Sequence, residues 1–246
     1  MQREYVHAVI LAGGLGTRLR AILPDMPKPM APVAGHPFIE WVARWLAASG
    51  VRSATVSTGY LGDMIERHFA THTVAGIALD CVREDQPLGT AGGFLWAARG
   101  SQRTPAGWLV LNGDSLALAD LDALARRIDA AAADAAIVAC RVADAGRYGQ
   151  LDVTSDGRLR RFAEKGADAQ GSALINGGVY LLRPALLERF PPDTPLSFEH
   201  DVFPGWLAAG TAIAVSEADA PFLDIGTAES LARADDFIRT HRDRFS

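Results

Sequence analysis

The stretch Leu11-Ala12-Gly13-Gly14-Leu15-Gly16-Thr17-Arg18-Leu19 follows directly on the apolar run His7–Ala12, so a β-strand opens onto a glycine-rich loop. Glycines there let backbone N–H groups approach a phosphate chain that any Cβ would push away. Two familiar phosphate loops fail to match. A dinucleotide-binding turn needs GxGxxG, but Leu19 stands where the third glycine belongs, and the GxxxxGK[ST] of a P-loop is absent. What stands instead is a glycine loop carrying Arg18, with Pro27-Lys28-Pro29 about ten residues on. Two fixed cations beside a glycine cradle suit a triphosphate attacked at its α-phosphorus. The blander alternative is a tight strand-to-loop turn with surface cations.

Outward from this loop, strand-like and helix-like runs alternate. Strands read at His7–Ala12, Ala54–Thr58, Ile77–Val82, Trp108–Asn112 and Ala136–Arg141. In Phe38–Ala48 the apolar Phe38, Ile39, Val42, Trp45 and Leu46 share one helical face, and Gly50 is placed to end the helix. Further helices read at Asp63–Ala70, Gly92–Arg99 and Leu121–Ala133, the last capped by Asp120. Such βα alternation with short connections predicts an α/β fold, a Rossmann-like, mostly parallel sheet flanked by helices. After Arg141 the rhythm changes. Gln150–Thr154 and Arg158–Ala163 flank Ser155-Asp156-Gly157 as a hairpin. A long strand at Ala173–Leu182 follows, then helices near Pro184–Phe190 and Phe198–Ala209, strands at Thr211–Ser216 and Phe222–Ile225, and a helix from Thr227 to about Arg242. No repeat, low-complexity linker or charge block divides residues 1–246, so they read as a single domain with a smaller β-rich lobe.

Composition narrows the class. The 246 residues are 49% hydrophobic and 22% charged, with a formal net charge of -5, ordinary for a globular enzyme able to bury a core without disulfides. The acidic balance argues against a nucleic-acid binder, whose phosphate contacts need surplus Lys and Arg. Cys81 and Cys140 lie in apolar β-like runs outside any CxxC spacing and read as reduced core thiols. No run approaches ~18 unbroken apolar residues, which argues against a membrane span. The run Ala8–Ala12 enters glycines without a cleavage-site pattern, so a cytoplasmic location is expected. His68 and His72 stand at i,i+4, but His72 falls past the helix end and makes a poor zinc pair. Trp41, Trp45 and Trp96 read as core.

Two carboxylates complete the chemistry. Asp114, in Leu111-Asn112-Gly113-Asp114, ends the fourth strand, where ligands bind in open α/β sheets; it also fits a turn-forming Asx residue. Asp224, in Phe222-Leu223-Asp224-Ile225-Gly226-Thr227, ends another strand just before a helix. Two carboxylates holding one Mg²⁺ at phosphate oxygens suit an ion that prefers few protein ligands plus phosphate and water. Glu199 fits either a sugar contact or an ordinary helix-terminal acid.

Taken in order, GGLGTRL with PKPM, EDQPLGTAGG (Glu84–Gly93), NGDS (Asn112–Ser115), EK (Glu164-Lys165), NGGVYLL (Asn176–Leu182) and FLDIGT resemble the sugar-1-phosphate nucleotidyltransferase family, from about His7 to Phe237. The PLGTAGG form is most similar to D-glycero-α-D-manno-heptose 1-phosphate guanylyltransferases, with mannose 1-phosphate guanylyltransferases next. The resemblance implies a nucleotide-binding part over about 1–141 and a sugar-binding part over about 142–246. It implies that Gly13, Gly14, Gly16 and Thr17 wrap the nucleotide, together with Leu11, Ala12 and Asn112. Arg18 would hold the β- and γ-phosphates, Lys28 the α-phosphate, and Asp114 and Asp224 the Mg²⁺. Lys165 would grip the sugar phosphate, while Glu164, Asn176, Glu199 and the Gly149 backbone meet sugar hydroxyls and Gly177 leaves room beside them. Glu84 and Leu88-Gly89-Thr90 fall where the family reads the base. A carboxylate there would accept from guanine N1–H and N2–H₂, though Glu84 also fits a solvated strand-end acid.

The implied reaction joins GTP to a sugar 1-phosphate and releases pyrophosphate. The nucleophile is already an anion at neutral pH, so positioning and charge neutralisation suffice without a general base. A mannose 1-phosphate guanylyltransferase, a uridylyl- or thymidylyltransferase, and a non-catalytic nucleotide-sugar-binding regulator remain open alternatives. Oligomeric state is not legible, and a homo-oligomer stays open.

Overall fold

Strand β1 (Val6–Ala12) sits between two parallel neighbours, and the rest of the chain is arranged around it. A computed structural model describes residues 6–143, 145–146, 148–163, 172–190 and 195–246. After β1 come a small hairpin, β2 (Pro32–Val33) and β3 (His36–Pro37), then α1 (Phe38–Ala48), β4 (Ser53–Thr58), α2 (Gly62–Thr71), β5 (Ala78–Arg83), α3 (Gly89–Gly100) and β6 (Gly107–Asn112). Next are β7 (Ser115–Ala117), α4 (Leu121–Ala130), β8 (Ala135–Val142), β9 (Gln150–Val153), β10 (Leu159–Ala163) and β11 (Ala173–Leu182). A π-type turn (Phe198–Val202) leads into α5 (Phe203–Ala208), followed by β12 (Ile213–Ala218), β13 (Phe222–Asp224), α6 (Ala228–Ala232) and α7 (Ala234–Thr240).

The nine-stranded sheet has the order β10-β9-β11-β6-β1-β4-β5, with β8 beside β11 and β12 beside β8. Strands β5, β4, β1 and β6 are all parallel. Parallel neighbours need crossovers, and α1, α2 and α3 supply them. The chain moves outward from β1 to β4 to β5, then returns to place β6 on the other side of β1. That reversal leaves a crevice at the carboxyl ends of β1 and β6, where open α/β sheets bind ligands. Strand β11 runs antiparallel to β6 and β8, and β12 is parallel to β8. The expected mostly parallel sheet flanked by helices is what forms.

Alternation along β1 builds two cores. Ala8 and Ile10 pack with α1 and α4 on one face, while Val9 packs with α3 and α5 on the other. The predicted apolar stripe of α1 is fully buried, and Gly50 takes the positive φ of 86° that stops the helix. Asp120 caps α4 by accepting from Asp122 N–H.

Several expectations need correction. Trp96 is 40% exposed and donates its indole N–H to the Arg83 carbonyl. Helix α3 begins at Gly89 rather than Gly92 and buries Ala91, Phe94, Leu95 and Ala98, which turns Trp96 outward over edge strand β5. Cys140 is buried, but Cys81 lies half-buried on that edge strand. The helix read from Thr227 to Arg242 is broken at Arg233, whose N–H bonds the Ser230 carbonyl three residues back and tightens the turn between α6 and α7. No helix among the described residues is long and apolar enough to cross a membrane.

Candidate active site

The glycine loop is shaped by its neighbours. Gly16 has φ +57°, and a Cβ there would lie 3.1 Å from Lys28 Cβ. A Cβ on Gly13 would lie 2.7 Å from Glu84 Oε1, whereas Gly14 faces open space. Buried Leu19 anchors the short turn Thr17–Leu19 and leaves Arg18 exposed on its outer side.

Across the crevice, β6 ends in Asn112-Gly113-Asp114, and Gly113 N–H bonds the Leu11 carbonyl at 2.8 Å. Strand β7 then pairs antiparallel with β13, setting Asp224 opposite Ser115, and Ile225 N–H reaches the Asp114 carbonyl at 3.2 Å. This small ribbon brings together two acids far apart in sequence. Lys28 completes the cluster: its Nζ donates to Asp114 Oδ2 at 2.8 Å and to Asp224 Oδ1 at 3.2 Å. Burial would lower the Lys28 pKa, but the two carboxylates outweigh it and raise the pKa above the ordinary lysine value.

The sugar-side candidates meet through a bulge in β11. Between Asn176 and Tyr180 the register against β8 slips, so Gly177-Gly178 bulges out, with Gly178 at φ +70°. The bulge turns Asn176 into the crevice. Its Oδ1 accepts from Gly178 N–H, and its amide nitrogen donates to Tyr180 Oη at 2.7 Å. Tyr180 Oη in turn donates to Glu199 Oε1 at 3.2 Å. The Gly149 carbonyl is taken by Asn176 N–H at 2.9 Å.

These groups surround a cavity of about 830 Å³. Of the expected residues, Gly16, Thr17, Arg18, Lys28, Asn112, Asp114, Gly149, Asn176, Glu199 and Asp224 line it. This is one concave site holding a glycine turn, two cations, two converging acids and a polar far wall. The sequence profile of the nucleotidyl transferase family matches residues 7–241.

The chain belongs to the nucleotidyl transferase family.

Among this nucleotidyltransferase's relatives is the D-glycero-α-D-manno-heptose 1-phosphate guanylyltransferase of Aneurinibacillus thermoaerophilus, 34% identical over 93% of this chain and 96% of that one. The mannose-1-phosphate guanylyltransferase of Mycobacterium tuberculosis is also 34% identical, over 97% of this chain and 66% of that protein. The crystal structure of HddC from Yersinia pseudotuberculosis complexed with GMP-PN has a TM-score of 0.81 and 32% identity, covering 94% of this chain and 98% of that one.

Other expected residues of this nucleotidyltransferase are not among those lining the cavity. Leu11 and Ala12 close β1. Glu84 accepts from Ser57 Oγ at 2.9 Å and from Leu88 N–H at 3.1 Å, and burial pushes its pKa up despite both bonds. Gly89 has φ +74°, and a Cβ there would meet the Leu196 carbonyl oxygen at 2.5 Å. That carbonyl caps α3 by accepting from Ala91 and Gly92 N–H. Glu164 and Lys165 lie outside the described residues.

The cavity also holds residues the sequence reading missed, among them Ser115, Tyr148, Phe162, His200, Pro204 and Phe222. Phe222 was legible in principle, because period-two alternation puts it on the same face of β13 as Asp224. Tyr148 packs edge-on against Phe222 at 5.5 Å, and Phe162 stacks on Phe203 at 5.2 Å. No local sequence signal marks either. His68 pairs with Glu40 at 3.0 Å and stacks on His72 at 4.5 Å.

Proposed function

We propose that this chain transfers GMP from GTP to D-glycero-α-D-manno-heptose 1-phosphate, forming GDP-heptose and releasing pyrophosphate. The observation that carries the reading is the Lys28–Asp114–Asp224 cluster, set between the glycine turn with Arg18 and the polar wall of Asn176 and Glu199. The names of the relatives support guanine and heptose. In the reaction, a phosphate oxygen of the sugar phosphate bonds to the α-phosphorus as the bond to the β-bridging oxygen breaks. That bridging oxygen leaves on pyrophosphate with its electron pair, and no proton need move.

The chain's own groups divide this work. Arg18 holds the β- and γ-phosphates and offsets the charge that collects on the leaving group. Lys28 moves from the carboxylates toward the α-phosphate, where attack concentrates negative charge. Lys165 holds the sugar phosphate, while Asn176 and Glu199 bind hydroxyls and fix its line of approach. Glu84 reads guanine with the lone pairs that Ser57 and Leu88 leave unused.

Asp114 and Asp224 fit Mg²⁺, since they are a pure oxygen donor set whose atoms converge on one point, as their shared ammonium demonstrates. When bound, the ion supplies Lewis-acid neutralisation of phosphate oxygens. A cytoplasmic location accords with soluble phosphorylated substrates. Pyrophosphate release measured over a grid of nucleoside triphosphates and sugar 1-phosphates tests the reading. The highest kcat/KM is expected for GTP with the heptose phosphate, then for GTP with mannose 1-phosphate. Faster turnover with UTP or dTTP would overturn the base assignment, and equal kcat/KM for the two sugars would overturn the sugar assignment.

A further inference from the structure

The turn Leu88-Gly89-Thr90 belongs by sequence to the nucleotide side, yet beside the Leu88 N–H bond to Glu84 it makes bonds that run the other way. Leu196 N–H donates to the Leu88 carbonyl at 2.7 Å, and Phe198 N–H donates to Thr90 Oγ1 at 2.9 Å. The Thr90 hydroxyl then spends its single proton on Glu199 Oε2 at 3.3 Å. Glu199 Oε2 also accepts from Ser197 Oγ at 2.9 Å, while Oε1 accepts from Tyr180 Oη. A hydroxyl has one donor and two acceptor sites. Thr90 therefore has its donor and one acceptor committed to the segment that carries the sugar-side acid, and it does not line the cavity.

We infer that Thr90 is a positioning residue for the sugar phosphate, acting through Glu199, rather than a nucleotide contact. The inference rests on the proposed function, in which Glu199 meets sugar hydroxyls. A carboxylate on a turn can swing among rotamers, and each donor that fixes it narrows that freedom before the sugar arrives. Tyr180 and Ser197 hold Glu199 from within its own lobe. Thr90 alone of these donors reaches it from the base-side turn, so it ties the acid to that turn.

Steady-state kinetics with GTP and heptose 1-phosphate tests this. Thr90→Val keeps the shape and removes the hydroxyl. It should raise KM for the sugar phosphate about tenfold while KM for GTP stays within about twofold, the split expected when the hydroxyl's two bonds, to Glu199 and from Phe198 N–H, are lost from the sugar-side segment. Thr90→Ser restores the hydroxyl and should return the sugar KM to the wild-type value. In a Glu199→Ala background, which removes the acceptor altogether, the Thr90→Val effect should largely vanish, because Thr90 would have no carboxylate through which to act on the sugar. Thr90→Ala serves the same purpose if the valine variant does not fold. A rise confined to KM for GTP, an equal rise in both, or full additivity with Glu199→Ala overturns the inference and leaves the proposed function standing. A wild type without turnover on any nucleotide and sugar phosphate pair overturns both.

Discussion

The two walls of the cavity are built on different principles. On the nucleotide wall the working groups are backbone and loop, held by parallel strands whose crossovers are local in sequence, from β1 through α1, α2 and α3 to β6. On the sugar wall they are side chains, brought in by a bulge in β11, a π-type turn and a three-residue ribbon between β7 and β13. On the proposed function, the first wall would shape a phosphate chain common to every nucleotide, for which backbone amides and two cations would serve. The second would choose among sugar phosphates, for which side-chain placement is the available means.

If the walls are joined at one charged point, that point should tolerate least. Asp114→Asn and Asp224→Asn should each lower kcat by ~10²-fold or more, as each removes a negative charge from the site proposed to hold Mg²⁺. The thermal unfolding temperature should fall only modestly, since each amide removes one of the two carboxylates that pair with the largely buried Lys28 and leaves the other in place. Turnover close to wild type in either variant, measured as pyrophosphate release, would separate the acids from the chemistry.

A smaller effect should divide the walls. Arg18→Ala should lower kcat/KM for GTP by about 30-fold, the loss of a charged contact of about 2 kcal/mol, with little change in KM for the sugar phosphate. Asn176→Ala should show the reverse pattern. Equal movement of both Michaelis constants in either variant would break the comparison.

Stability should single out the bulge within the sugar wall. Gly178 sits at φ +70°, and a Cβ there would meet Asn112 Nδ2 at 2.6 Å, so Gly178→Ala should cost ~1–3 kcal/mol in denaturant unfolding. Gly149→Ala meets open space and should change stability by less than about 0.5 kcal/mol. Similar costs at both would deny the bulge its special role.

The smallest effect concerns pH. Burial raises the Glu84 pKa, so this carboxylate gains its proton at a higher pH than an exposed glutamate. The protonated form offers a donor where guanine also offers donors. KM for GTP should therefore rise as pH falls toward that raised pKa, at a higher pH than the titration of an exposed glutamate would bring it. Glu84→Gln should remove that dependence, and an unchanged profile would show that Glu84 acts only as a brace beneath Gly13.

The same division explains what the sequence revealed. The apolar stripe of α1 and the strand-to-glycine junction at Ala12-Gly13 are local patterns, and both appear where periodicity put them. Strand β7 is three residues long, below what alternation can register, yet it sets Asp224 beside Asp114. Trp96 and the break at Arg233 were misread because helix register and termination depend on what the helix packs against, not on composition. The contacts of Glu199 were illegible for a related reason: Thr90, Asn176 and Tyr180 reach it from separate elements.

The ribbon between β7 and β13 also fixes an order of events during synthesis. Lys28 and Asp114 leave the ribosome well before Phe222–Asp224. A nascent chain that has already folded its glycine loop still lacks the second acid of the pair. The acid pair is thus completed late, and a chain terminated before β13 would carry the glycine loop with Asp114 alone.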